Sequence, residues 1–113
     1  MEDTKEAFSI SSEGERVTAV LTGDVDHHAA APIREAIDSE LYLKRPEELC
    51  LDFSGVKFMD SSAIALIIGR AELARSIGCH VRVRGLSRTQ ERLIRLSGIT
   101  RMEGITVERV EVK

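Results

Sequence analysis

The sequence has few of the residues that mark a secreted, membrane-spanning or nucleic-acid-binding protein. Trp is absent, aromatic residues make up 4% of the 113 residues, and Cys and Pro occur twice each. So few rings leave little for stacking single-stranded bases. Two Cys without a disulfide-like spacing indicate a reducing compartment. The longest apolar run, residues 63–68, is too short to span a bilayer.

The charge balance excludes a second group of functions. The chain has 16 Lys and Arg against 19 Asp and Glu, a net charge of −3. No basic excess indicates a nucleic-acid partner. The charged first six residues differ from a secretory signal, so we expect a cytoplasmic protein. With 42% hydrophobic and 31% charged residues, the chain is typical of globular proteins, and we expect a single domain over 1–113 with its core at about 8–112.

The first half of the chain predicts a hairpin and a helix. Residues 8–10 and 16–22 alternate between apolar and polar on either side of Gly14 and predict paired strands. Residues 29–41 have a helical period. Because Pro32 is tolerated only near the first turn, we expect this helix to start just after His28. Its apolar stripe is Ile33, Ala36, Ile37 and Leu41.

The second half predicts three strands and two helices. Strands are expected at 49–53, 79–84 and 106–112, with a turn at 54–57 and a helix over 62–77. Ser87 and Gln90 form a capping-box pattern that opens the last helix. We expect Leu93 and Leu96 to be its core residues and Gly98 to end it.

The element order therefore predicts the fold class. It reads β-β-α-β-α-β-α-β, and residues 49–84 form a βαβ unit whose strands should be parallel. A mixed β-sheet with helices packed on it, an α/β fold, accommodates this order.

The segment 51–62, LDFSGVKFMDSS, is the most informative part of the chain. It runs from a strand into a helix N-terminus, and Asp60, Ser61 and Ser62 are all good N-cap residues. One interpretation is that they only cap the helix. However, one hydroxyl suffices to cap, which leaves a second Ser free. Such turns lie at the carboxyl edge of a parallel sheet, where sites usually lie, and a phosphoryl group there would meet backbone N–H groups and the helix dipole.

Three stretches resemble the STAS domain family, in particular its sporulation-type anti-sigma factor antagonists. Residues 21–28, LTGDVDHH, are similar to the family's Leu-Thr-Gly-Glu-Leu-Asp-His-His. Residues 51–62 are similar to its phosphorylation segment, and residues 92–99, RLIRLSGI, to a motif near its last helices. The resemblance covers about residues 8–105 and implies a STAS-type mixed sheet.

The resemblance also implies a mechanism of partner switching without enzymatic activity. The unphosphorylated protein would bind an anti-sigma factor that is also a serine kinase, and a sigma factor would be released. Phosphorylation of the Ser that follows the Asp, here Ser61, would abolish binding, and a serine phosphatase would reset the protein. Ser62 would be the neighbouring hydroxyl and the cap. A monomer suits this exchange of partners, and no cofactor is implied.

The resemblance places a partner-binding surface around Ser61. The residues expected to contribute are Asp24, Asp26, His27, His28, Met59, Asp60, Ser62 and Ala63. Where the family usually has Asp-Ser-Ser-Gly-Leu-Gly, this chain has Ala63 and Ala65 at the glycine positions. Alanine adds a methyl group where a partner backbone could approach closely. Lys57, in the preceding turn, could favour a phosphate or be solvated.

Other polar groups allow competing interpretations. Asp24, Asp26, His27 and His28 could be read as a metal cluster, but a metal site needs three or four convergent ligands and the next His is His80. The better interpretation is a loop in which Asp26 or His27 caps the first helix. We therefore expect no metal.

The arginines of the second half also have two interpretations. Arg82, Arg84, Arg88, Arg92, Arg95 and Arg101 most simply form a solvated face with acidic neighbours. Alternatively, Arg88, Arg92 and Arg95 form a helix stripe for an acidic partner or for weak nucleotide binding. Cys50 and Cys79 are expected to be buried in strands as small hydrophobic residues.

Two further functions remain open at the level of sequence. One is a STAS scaffold or assembly module of another signalling or transport system, which stable homo-assembly would favour. The other is a small phosphatase or nucleotide hydrolase. The sequence argues against an enzyme of this kind, because none of its motifs supplies a base, a nucleophile and an anion cradle together.

Overall fold

The computed structural model describes residues 8–110 and has the predicted order of elements. Gly14, with φ of 60°, lies in the turn that joins the first two strands. A short 3-10 helix, Ile99–Arg101, precedes the last strand. The elements are β1 (Phe8–Glu13), β2 (Arg16–Val25), α1 (His27–Lys44), β3 (Glu48–Met59), α2 (Ser61–Ser76), β4 (His80–Arg84), α3 (Arg88–Leu96) and β5 (Ile105–Val107).

The strands form one mixed sheet in the order β1-β2-β3-β4-β5. β1 pairs with β2 antiparallel, and all later pairs are parallel. The predicted βαβ unit is confirmed, since Glu48 lies opposite His80 and Asp52 opposite Arg84 in parallel register. The parallel strands therefore place their carboxyl ends at one edge of the sheet.

The core lies between one face of the sheet and the helices α1 and α2. Alternate residues of each central strand point into it, as the two-residue period requires. Ile33, Ile37 and Leu41 of the predicted α1 stripe are fully buried. The strands contribute Val17, Ala19, Leu21, Leu49, Leu51, Phe53, Val81 and Val83 to the same cluster.

The opposite face of the sheet has a network of ion pairs. Glu48 accepts from Arg82 Nε at 2.9 Å and lies 3.5 Å from Arg16, and Asp52 Oδ2 lies 3.3 Å from Arg84 Nε. Burial raises the pKa of each carboxyl, but the hydrogen bonds from Arg82 to Glu48 and from Ser54 to Asp52 bring both pKa values below their ordinary range. Arg82 and Arg84 thus lie among acidic neighbours, as the simpler interpretation predicts.

The helix α3 begins as predicted but turns a different side to the core. Ser87 and Gln90 form both bonds of the capping box. Gln90 is buried because its Nε2 also donates to the carbonyl of Val56 at 3.2 Å. The prediction that Leu93 and Leu96 face the core is wrong, since they are 43% and 77% exposed.

Arg95, one of the three residues of the proposed α3 arginine stripe, already has hydrogen-bond partners within the protein. Arg95 Nε donates to Glu91 at 2.6 Å, and its Nη2 donates to the Val107 carbonyl at 3.2 Å. Arg88 and Arg92 are exposed. Arg95 therefore joins the helix to the end of β5, and this contact weakens the stripe interpretation.

Several element boundaries differ from the predictions. The helix α1 starts at His27, before the predicted start, because the Asp26 carboxylate caps it. Pro32 then lies in the second turn, on the exposed side of the helix, where water can satisfy the carbonyl that lacks its donor. The strand β5 ends at Val107, and Val112, which we expected within it, lies outside the described residues.

The predicted turn at 54–57 is also wrong, because β3 continues through it to Met59. The register between β2 and β3 shifts twice along this stretch. A Cβ on Gly55 would lie 2.9 Å from Thr22 Cγ2 and 3.2 Å from the Leu21 carbonyl oxygen. The glycine therefore permits a close approach of β2 rather than a turn.

Candidate functional site

Two similar junctions lie next to each other at the carboxyl edge of the sheet. In parallel register, Val25 of β2 lies opposite Met59 of β3. Each strand ends there, one Asp follows in extended conformation, and a helix begins at the next residue. Because paired strands lie about 4.8 Å apart, the first turns of α1 and α2 begin side by side.

Each junction is capped by its Asp. Asp26 Oδ1 accepts from the Ala29 N–H at 3.0 Å, and Asp60 Oδ1 accepts from the Ser62 N–H at 2.8 Å. The bond from Ala29 holds the pKa of the Asp26 carboxyl below its ordinary value. The structure thus decides between the two predicted caps of α1 in favour of Asp26, while His27 is the first helical residue.

The two serines are left with free hydroxyls. Ser61 is exposed and is the first residue of α2, and Ser62 is the partly exposed second residue. The prediction that Ser62 is the cap is wrong, because the carboxylate of Asp60 takes that role. Among residues 8–110, neither hydroxyl has a hydrogen-bond partner. Ser61 therefore presents an unpaired hydroxyl to solvent beside a carboxylate and a helix N-terminus.

The structure places most of the predicted contact residues around Ser61. Asp24, His27, His28 and Asp60 are exposed on the same edge, and Asp26 is partly exposed. The rings of His27 and His28 lie edge to face with centroids 5.9 Å apart.

Two predicted contact residues are not at the surface. Met59 is 7% exposed and Ala63 is fully buried, so neither side chain can contact a partner, and only their backbone could contribute. The methyl group of Ala63 therefore fills core space rather than a contact surface. The methyl group of Ala65, by contrast, is exposed. Lys57 is also exposed.

The possible metal ligands are not brought together. His80 starts β4, at the opposite edge of the sheet from His27 and His28, and its Nε2 lies 2.7 Å from Thr106 Oγ1. In the part of the chain that the structure describes, no three His, Cys, Asp or Glu residues are placed to hold a metal ion. Over the same residues, none of the helices combines the length and apolar character that crossing a membrane requires.

A groove between α1 and α2 is a feature that sequence reasoning missed. It has a volume of about 400 Å³ and starts beside Ser62. Small residues from two separate helices form its walls, and the only sequence signal was the repeated occurrence of Ala and Gly on one side of each helix. Its lining comprises His27, Ala30, Ala31, Arg34, Ser62, Ala65, Leu66, Gly69 and Arg70.

Comparison with known proteins places this architecture in a family. Residues 8–107 match the family model described as "Mlab, STAS domain". An anti-sigma F factor antagonist of Paenibacillus polymyxa is 30% identical over 79 residues, which are 70% of this chain and 68% of that protein.

Solved structures give the same result for the fold. The anti-sigma factor antagonist SpoIIAA in its unphosphorylated form superposes with a TM-score of 0.74 at 24% identity, over 93% of this chain and 90% of that one. The Bacillus cell fate determinant SpoIIAA in its phosphorylated form gives 0.72 at 25% identity, over 91% and 92%. The predicted fold class is confirmed, and the chain belongs to the STAS domain family, alongside the anti-sigma factor antagonists that it resembles in sequence and fold.

Proposed function

We propose that this protein is an anti-sigma factor antagonist that binds an anti-sigma factor while Ser61 is unphosphorylated. The observation that carries the proposal is the exposed Ser61 hydroxyl, which caps nothing because Asp60 already satisfies the helix start. A hydroxyl with no structural role at an exposed helix N-terminus is free to accept a phosphoryl group. Relatives named anti-sigma F factor antagonist support the same role.

Electrostatics explain why phosphorylation would end binding. A phosphoryl group adds about −1.5 to −2 charge directly beside the Asp60 carboxylate. Backbone N–H groups and the dipole of α2 would stabilise it in water. Burying the same group in an interface would require its desolvation next to a second negative charge, which is costly. Phosphorylation is thus compatible with the free protein and unfavourable in the complex.

The proposed contact surface follows the two capped junctions. The side chains that reach it are those of Asp24, His27, His28 and Asp60, with Asp26 and Ser62 at its margin. Met59 and Ala63 are retained only as backbone contacts, since their side chains are buried.

Further features of the proposal follow from the resemblance. The partner would be a serine kinase as well as an anti-sigma factor, and a serine phosphatase would restore Ser61. The chain would act in the cytoplasm as a monomeric single domain and as a binding module rather than an enzyme. Any nucleotide binding would be weak, and neither nucleic acid nor membrane would be a partner.

Affinity capture with matched serine variants tests the switch. The baits are wild type, Ser61→Ala, Ser61→Asp and, as a control for added charge elsewhere, Ser39→Asp on the exposed side of α1. We expect an anti-sigma factor with a kinase domain to be retained by all baits except Ser61→Asp. Equal retention by Ser61→Asp would contradict the proposed switch, and loss by Ser39→Asp as well would indicate a nonspecific charge effect.

The second candidate function is an assembly module of another signalling or transport system. The observation that favours it is the matched family model, whose description names Mlab rather than an antagonist. Ala65, which replaces a family glycine, also adds an exposed methyl group close to Ser62. Capture of the same stable multi-protein assembly by every bait would support this candidate over partner switching.

A further inference from the structure

The groove between α1 and α2 has the dimensions of a small-molecule site. Its volume of about 400 Å³ falls within the range of roughly 300–1,000 Å³ that is typical of ligand pockets. From His27 to Arg34 the groove follows seven residues of α1, about 10 Å at 1.5 Å per residue. Its walls are apolar and consist mostly of small residues; they are formed by Ala30, Ala31, Ala65, Leu66 and Gly69.

Gly69 is a residue that the fold itself does not require. It lies within α2, where glycine costs about 1 kcal/mol relative to alanine. Its φ is not positive, and a Cβ added there would meet nothing within 4 Å. Neither backbone conformation nor packing therefore explains the missing side chain. The remaining physical reason for a glycine is close approach of another molecule to the backbone, and Gly69 lines the groove.

Arg70 provides a buried donor at the end of the groove. Its side chain is 8% exposed, and its Nε lies 2.7 Å from Asp38 Oδ1 as an ion pair without hydrogen-bond alignment. Its Nη1 makes one long bond, 3.4 Å, to the Leu66 carbonyl. Within residues 8–110, Nη2 has no hydrogen-bond partner. A guanidinium has five N–H donors, so Nη2 retains donor capacity that a ligand in the groove could use.

The charge around Arg70 favours an anion. Arg34 also lines the groove and is exposed, without an ion-pair partner in the described chain. Counting Arg34 and Arg70 against Asp38, two positive charges face one negative charge, which leaves a net charge of +1 at this end. At the opposite end, His27 and Ser62 lie in the first turns of the two helices, where the capping carboxylates of Asp26 and Asp60 offset the helix dipoles. The positive charge of the groove is therefore at the end that holds Arg34 and Arg70.

We propose that this groove binds a small organic anion with a short apolar body. The anionic head would accept hydrogen bonds from Arg70 Nη2 and Arg34, and the body would lie along the alanines and over Gly69. The site requires neither phosphorylation of Ser61 nor a protein partner. It therefore goes beyond the proposed function, and neither proposal depends on the other.

An NMR titration of the ¹⁵N-labelled protein tests the site with three probes. Hexanoate combines head and body, acetate offers the head alone, and 1-hexanol offers the body alone. We expect hexanoate to shift the amide signals of residues 30–34 and 65–70 in a saturable manner. Acetate and 1-hexanol should bind at least tenfold more weakly, because each makes only one of the two kinds of contact.

Two variants with matched controls locate the binding. Arg34→Gln should weaken hexanoate binding at least about tenfold, as expected for one charge-assisted hydrogen bond. Arg75→Gln, the same change at an exposed site outside the groove, should leave it unchanged. Gly69→Leu fills the groove and should abolish binding, while Glu72→Leu on the exposed side of α2 should not.

Three results would each overturn the proposal. They are equal affinity for acetate and hexanoate, saturable shifts located outside the two helices, and unchanged hexanoate binding by Gly69→Leu. The amide spectrum of each variant also reports whether it is folded. Because the readout involves neither Ser61 nor a partner, failure here would leave the proposed function intact.

Discussion

Removing the Asp60 carboxylate should destabilise the protein, whereas removing either neighbouring hydroxyl should not. Asp60 Oδ1 accepts from the Ser62 N–H at 2.8 Å, and the helix α2 that it caps carries much of the core. Loss of an N-cap costs about 1 kcal/mol, and loss of a negative charge at a helix N-terminus costs about 0.5 kcal/mol more. We therefore expect Asp60→Ala to lower the free energy of unfolding by about 1.5 kcal/mol.

Three further variants separate the contributions. Asp60→Asn keeps an acceptor oxygen and loses only the charge, so it should cost about 0.5 kcal/mol. Ser61→Ala and Ser62→Ala should change stability by less than about 0.5 kcal/mol, because these hydroxyls accept and donate no hydrogen bond in the described chain. Urea unfolding followed by circular dichroism measures all four, and 1.5 kcal/mol corresponds to a midpoint shift of about 1 M.

The opposite ranking of these variants would contradict the assignment of Asp60 as the cap of α2. If Ser61→Ala costs about 1 kcal/mol and Asp60→Ala costs nothing, the Ser61 hydroxyl is the cap and is not free to accept a phosphoryl group. If Asp60→Asn is as damaging as Asp60→Ala, the charge rather than the hydrogen bond stabilises the helix start. The first result would remove the structural argument for Ser61 as the acceptor, whereas the second would change only the reason why Asp60 stabilises the helix start.

Three more predictions follow from other parts of the structure. Gly69→Ala should raise the free energy of unfolding by about 1 kcal/mol, because the added methyl group meets open space. Urea unfolding measures this change, and a destabilised variant would mean that the fold needs the glycine. Burial raises the pKa of Cys79 to about 11 and raises that of Cys50, so both thiols should resist Ellman's reagent until urea unfolds the protein; labelling of the folded protein would contradict this. The carboxyls of Glu48 and Asp52 have pKa values below the ordinary 4.5 and 3.8. Their contribution to stability is therefore complete above about pH 5 and is lost as the pH falls through the lowered pKa values of the folded protein. Glu48→Gln should make the free energy of unfolding depend less on pH in this acidic range. An unchanged pH dependence would show that the ionisation of Glu48 is not linked to folding.

The region of the site could be predicted from sequence because strand and helix signals meet at one place. An apolar strand followed by Asp60, Ser61 and Ser62 identifies a capped helix start, and the structure places it at the predicted edge of the sheet. The sequence could not predict which of these three residues caps the helix α2. Carboxylates and hydroxyls serve almost equally well at an N-cap, and only the path of the backbone out of β3 brings the Asp60 oxygen to the Ser62 N–H.

Errors arose where tertiary contacts override local signals. Gly55 follows Ser54 in a pattern typical of a turn, yet its role is to let β2 approach, a contact between residues more than thirty positions apart. Leu93 and Leu96 fit an apolar period, but the bond from Gln90 to the Val56 carbonyl and the bond from Arg95 to the Val107 carbonyl set the rotation of α3. No local pattern contains those partners.

The groove could not be predicted for a related reason. Its two walls come from helices whose facing residues are far apart in sequence, and each wall alone is only a set of alanines. Arg70 is similarly ambiguous in sequence, because a single Arg in an apolar helix usually extends to solvent. Its burial depends on Asp38 of the neighbouring helix.

The length of β3 separates the two ends of the molecule, and this separation allows the protein to be immobilised in one orientation. The strand runs through twelve residues, which is about 40 Å at 3.3 Å per residue. Ser61 follows its carboxyl end, while the exposed Glu47 precedes its amino end. A cysteine-reactive dye or a sensor-chip linker attached through Glu47→Cys would thus display Ser61 toward the solution. Because both native thiols are buried, the label would go to the new site alone, and every immobilised molecule would present the same face to a partner.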